Sequence, residues 1–194
     1  MKRSRAAAAA VVLGLVVSGL SGCGVSVQQE AQPLPSGALP PVAQAPSPTP
    51  TTRESTVYFV SGRGLEGVTE PIREQSAQGM MEALAAGPPI DRQADLRTLL
   101  LDPLTRQPVL AVVSQSPSGR VVLARTEGFT QLPATDQVLL VGQVVTSLAE
   151  VGVTSVIITD EAGLPIPLAL PDGRVLEVPA TADDYDGLVV DPDL

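Results

Sequence analysis

Three sets of residues in this chain have types and spacings that could do chemistry. Gly62-Arg63-Gly64-Leu65-Glu66-Gly67 repeats the Gly-x-Gly-x-x-Gly spacing of dinucleotide-binding turns, and it follows a β-branched run, Thr56–Val60. That chemistry needs the last glycine to open a helix whose N-terminus receives the phosphates. Val68-Thr69-Glu70-Pro71 follows instead, an extended stretch and then a proline, so the run reads as a glycine-rich turn between two strands. Asp183, Asp184 and Asp186, with Asp191 and Asp193 beyond them, gather carboxylates near the C-terminus. Calcium takes several oxygen ligands on a tight loop, but the EF-hand spacing is absent. These acids are weak candidates for a metal site, and a capped turn leading into a solvated acidic tail is the preferred reading. The third set is a single thiol, Cys23, which closes the run Leu20-Ser21-Gly22-Cys23.

What precedes Cys23 defines its chemistry. Lys2, Arg3 and Arg5 are followed by an uncharged stretch, Ala6 to Leu20, too short for a spanning helix. Small residues sit at the point of cleavage, as export processing requires. The pattern is a bacterial secretory signal ending in a lipobox: residues 1–22 are expected to be removed and Cys23 to carry lipid. Diacylglyceryl attachment to the thiol and acylation of the new amino terminus would hold the protein stably, as two or more acyl chains do. Gly24 follows, so nothing resembles the Asp that signals inner-membrane retention. Ala, Val and Arg are plentiful and Lys2 is the only lysine, the usage of a GC-rich genome and of a Gram-positive actinobacterial host. The expected location is the extracytoplasmic face of the cell membrane.

Absences narrow the chemistry further. The sequence has no His, and its only Lys leaves with the signal. With Cys23 acylated, a Ser–His–Asp triad, a Cys–His dyad, a Ser–Lys dyad and a Schiff-base lysine all lack their residues. Zinc sites built on His and Cys are excluded in the same way. Carboxylate chemistry remains, but with no Trp, two Tyr and two Phe there is little aromatic surface on which a glycosidase could seat a sugar. No catalytic residue and no cofactor are expected. Loss of the signal leaves nine basic residues against 21 acidic ones, a mature charge of −12. Phosphates and anionic headgroups repel such a chain, so nucleic acid is not an expected partner and the body should stand off the bilayer.

The elements that must position these residues can be read along the chain. Residues 23–54 hold the lipidated cysteine and seven prolines among Ala, Ser, Gln and Thr, a composition that cannot bury a core and reads as a disordered tether. It spans about 30 Å as a loose coil and about 95 Å as stretched polyproline. Residues 55–194 make one domain. Thr56–Val60 is its first strand, and a second runs from Leu65 to Val68 and ends before Pro71. Ala77, Met80, Met81 and Leu84 form the apolar stripe of a helix that stops at Gly87-Pro88-Pro89. Residues 91–108 suggest a helical turn at 94–101 and then loop. Val109–Ser114 and Val121–Ala124 flank a turn and read as a hairpin. Thr135 or Asp136 caps a second helix with Val138, Val141, Val145 and Leu148 on its stripe, and Gly152 ends it. Val153–Thr159 is a buried strand, and Leu164–Leu170 with Val175–Val178 makes a further hairpin. The expected fold is α+β, a single sheet of about four to six strands packed on two helices.

Four of these stretches, read in order, resemble the GerMN domain of bacterial sporulation and envelope lipoproteins. They are Thr56-Val57-Tyr58-Phe59-Val60, Glu82-Ala83-Leu84-Ala85-Ala86-Gly87-Pro88, Val144-Val145-Thr146-Ser147-Leu148 and Gly152-Val153-Thr154-Ser155-Val156. The likeness covers residues 56–163, with 164–190 as an extension of the same domain. Pro89 replaces a common Thr in the turn, and Ser147 intrudes between the Thr and Leu of the helix. The resemblance implies a non-enzymatic module with a ring-building type of fold. Members of the family support a channel across the spore envelope or accompany a membrane sensor kinase. It implies binding or scaffolding by protein–protein contact in the envelope, with an envelope protein as partner. An extracytoplasmic ligand- or divalent-cation-binding lipoprotein is the alternative.

Overall fold

The β-branched and aromatic run at the start of the domain builds β1, Arg53–Val60, which turns back antiparallel into β2, Leu65–Ile72. These belong to a computed structural model that describes residues 52–177 and 179–190; the signal, the lipobox with Cys23 and nearly all of the tether lie outside the described residues. In β1 the alternation expected of a half-buried strand puts Val57 and Phe59 in the core. β2 runs through Pro71 rather than stopping before it. Pro71 stands opposite Glu54, in the same alternation as the Tyr58–Gly67 pair. The N–H and C=O of Tyr58 point away from β2, so the missing N–H of Pro71 falls on the outer edge and no ladder bond is lost.

A helix follows, α1, Ala77–Ala86, capped by Ser76, whose side chain accepts from the Gly79 N–H at 3.1 Å. It ends at Gly87 with φ of 82°, and its stripe of Ala77, Met80, Met81 and Leu84 is buried as the spacing required. Residues 91–108 form no helix. Arg97 bridges antiparallel to Val60, Leu101 bridges to Pro108, and Leu96, Leu99 and Leu100 are buried. The apolar spacing that suggested a helical turn there is that of a buried loop.

β3, Leu110–Gln115, pairs antiparallel with β4, Arg120–Arg125, with a register shift between Val112 and Ser114. Two helices connect β4 to β5, Ser155–Thr159, which lies parallel to it. The shorter is α2, Glu127–Gln131, and the longer is α3, Ala134–Ala149. Neither Thr135 nor Asp136 caps α3; both lie inside it, because Pro133 occupies the N-cap with its ring-fixed φ of −53°. At the other end Gly152 N–H donates to Ala149 O and Val153 N–H to Leu148 O, the paired closure that a left-handed Gly152 permits. Two-residue strands β6, Leu168–Ala169, and β7, Val175–Leu176, form the last hairpin, shorter than the sequence suggested. A 3-10 turn, Ala182–Leu188, completes the described chain.

The class is α+β, as expected, but the strands are divided among three small sheets, β1–β2, β3–β4–β5 and β6–β7, rather than joined in one. The reason lies in α3, where every residue from Leu140 to Leu148 is buried. Such a helix is enclosed on all sides rather than laid on a sheet face. It also takes the place of a neighbouring strand. Gln143 Nε2 donates to Tyr58 O at 3.0 Å, and the Tyr58 N–H donates to Ser147 Oγ at 2.9 Å. The edge of β1 is thus satisfied by side chains of α3 and, at Val60, by Arg97. Residues 164–190 share this core: Leu168, Leu170, Ala180 and Tyr185 are all buried in it.

Candidate functional site

The residues singled out by their chemistry are positioned as follows. The first half of the glycine run, Gly62 to Gly64, lies in the β1–β2 turn, and Leu65, Glu66 and Gly67 open β2. Ser61 N–H donates to Gly64 O at 2.7 Å, and Ser61 Oγ accepts from the N–H groups of Arg63 and Gly64 at 3.2 Å each. A Cβ on Gly64 would strike Leu188 O, so this glycine is set by close approach of the 3-10 turn and not by a phosphate. Glu66 is only 8% exposed and pairs with Arg92, so the one acidic side chain of the run is used within the fold. The sequence reading of a plain turn holds on this geometry.

The C-terminal acids separate in role. Asp184 Oδ2 accepts from both the N–H and the Oγ1 of Thr181 at 2.8 Å and so caps the 3-10 turn. Asp183 is exposed, Asp186 points to a groove, and Asp191 and Asp193 lie outside the described residues. Among the described residues no three acidic groups converge as metal ligands do. Between Asp184 and Asp186 stands Tyr185, fully buried, whose hydroxyl donates to Ala169 O at 3.3 Å. The turn therefore has an anchor that the acids around it obscure in the sequence. Gly142 of α3 makes room for that anchor: a Cβ there would lie 2.8 Å from Leu188 Cδ1 and 3.1 Å from Tyr185 Cδ1.

A concavity of about 660 Å³ lies where the β1–β2 hairpin, the last turn of α3 and the 3-10 turn meet. Tyr58 reaches it from β1, across the bare backbone of Gly67 in β2. Its hydroxyl donates to Glu150 Oε1 at 3.5 Å. Burial first, and then the Glu150 carboxylate, hold the Tyr58 phenol above its ordinary value of 10.0, with Asp186 adding to the effect. Thr146 forms part of the floor; it is 6% exposed, and its Oγ1 has no hydrogen-bond partner among the described residues. The described ion pairs are Arg92–Glu66, Arg97–Asp136 and Arg174–Asp172, so neither Glu150 nor Asp186 is compensated by a described cation.

Two of the sequence-flagged sets thus contribute one residue each to the groove, Gly67 and Asp186, for reasons unrelated to the chemistry first considered. Sequence reasoning missed Tyr58, Thr146 and Glu150. A signal for the last two existed: Gln143, Thr146 with Ser147, and Glu150 form a polar stripe at helical spacing on an otherwise apolar helix. No helix among the described residues is long and apolar enough to cross a membrane.

This arrangement of small sheets around a buried helix is a GerMN-like fold. The chain is similar in structure to the tandem GerMN domains of the sporulation protein GerM from Bacillus subtilis, with a TM-score of 0.50 and 21% sequence identity. The match covers 69% of this chain and 47% of that one, so the chain spans about half the length of its structural neighbour. No family model and no curated protein matches the sequence.

Proposed function

We propose that the chain is a lipid-anchored, extracytoplasmic binding or scaffolding module of the bacterial cell envelope, belonging to the GerMN family, acting by protein–protein contact and without catalysis. The GerMN-like fold carries this reading, since its structural neighbour is a sporulation protein that bears two such domains in tandem. The lipobox at Cys23 and the proline-rich tether support it by giving the domain an anchor and a stand-off distance. The lack of His in the sequence, and of Lys and free thiol once the signal is removed and Cys23 acylated, supports the non-enzymatic half. A role in envelope assembly, in a sporulation-like complex or beside a sensor kinase is consistent with all three.

Photo-crosslinking in intact host cells tests the proposal. Amine-directed reagents are unsuitable because the mature chain has no lysine, so a photoreactive amino acid is placed at exposed positions such as Leu104, which is 91% exposed. The expected result is a discrete adduct with an envelope protein in the membrane fraction. Repeated failure to trap any envelope protein from a set of exposed positions would overturn the reading.

A further inference from the structure

The groove beside Tyr58 has a chemical character that the proposed function does not specify. Its rim carries two carboxylates, Glu150 and Asp186, and among the described residues no arginine or other cation lines it. Thr146, more than nine-tenths buried, is part of its lining. Val189 and Val190 supply apolar wall beside the acids, and Val189 is 38% exposed.

We propose that this groove is the docking site for an arginine- or lysine-bearing segment of a protein partner, whose cationic head sits between Glu150, Asp186 and the Tyr58 hydroxyl while its aliphatic stem lies along Val189 and Val190. The inference rests on the reading of the chain as a binding module and names the surface and the partner chemistry. Charge complementarity selects the occupant: two uncompensated carboxylates in a domain of strongly acidic sequence repel phosphates and acidic peptides and attract a cation. The apolar wall favours a long basic side chain over a compact inorganic cation, for which no three acids converge among the described residues. Guanidinium also stacks on aromatic rings, and Tyr58 offers one at the rim.

The two tyrosines make the site directly observable. In the full chain carrying fluorotyrosine, fluorine NMR gives one resonance from Tyr58 in the groove and one from Tyr185 in the core. Titration with an arginine-rich hexapeptide should move the Tyr58 resonance saturably and leave that of Tyr185 in place. In the double variant Glu150→Gln, Asp186→Asn the affinity should fall by about tenfold or more. No shift at millimolar peptide, an equal response to an acidic hexapeptide, or undiminished binding by the double variant would overturn the proposal. Tighter binding of spermidine or of cell-wall fragments than of the peptide would overturn it as well. A photoreactive residue at Val189 separates this failure from failure of the wider reading. Adducts from Leu104 but none from Val189 would leave the binding module standing and remove the groove; silence at both would remove both.

Discussion

Tyr58 shows how one side chain joins the fold to its surface. Its backbone is tied to α3 through Gln143 and Ser147, while its ring crosses Gly67 and its hydroxyl meets Glu150. Both tyrosines are expected to ionise above the ordinary value of 10.0, Tyr185 higher than Tyr58 because it is more deeply buried. A raised folded-state pKa means that the folded protein prefers the protonated phenol. The stability this contributes is complete below the unfolded-state value and is lost as pH climbs through the folded-state one. Glu150→Gln removes the charge and leaves only a weaker, neutral acceptor for the phenol, while the burial stays. It should move the Tyr58 step in the tyrosinate absorbance part of the way down toward 10.0 and leave the Tyr185 step unchanged. An unmoved Tyr58 step would show that Glu150 does not face the phenol.

At the scale of elements, α3 is where apolar pattern and polar exception combine. Gln143 is fully buried and serves two partners: it donates to Tyr58 O and its Oε1 accepts the Leu99 N–H at 3.0 Å. Gln143→Leu keeps the volume and strands one carbonyl and one N–H, each costing about 1–3 kcal/mol when buried without a partner. We expect chemical denaturation to show a loss of about 2–5 kcal/mol for this variant, against less than about 0.5 kcal/mol for an exposed substitution such as Leu104→Ala. The two longer helices and most strands were legible because their periodicities are strong: the stripe of α1, the left-handed end of α3 at Gly152, and the β-branched runs of β1 and β5; the five-residue α2 is too short to carry a period and was not. The division into three sheets was not, because it depends on Gln143 and Ser147 closing the edge of β1, and no periodicity announces a side chain that replaces a strand. Ser147, a departure from the motif when read as sequence, accepts the Tyr58 N–H and so has a structural reason to be polar. The groove was hidden for a similar reason, since its residues come from positions 58, 67, 146, 150 and 186 and only the packing of Tyr185 against Gly142 draws the last of these to the others.

At the scale of the whole molecule, the proposed function joins a lipid anchor, a tether and a GerMN-like domain into one device that would present an acidic groove away from the membrane. Everything in it that concerns partners depends on the domain being exported and held by lipid at Cys23. Fractionation of host cells, with mass spectrometry of the amino-terminal peptide, tests that dependence. The account predicts that the protein is found in the membrane fraction, begins at Cys23 and carries a diacylglyceryl group there, and that Cys23→Ser is no longer processed at this position or retained as a lipid-anchored form. A protein that keeps Met1 and remains in the cytosol, or a Cys23→Ser variant that stays membrane-bound in the same amount and form, would contradict it.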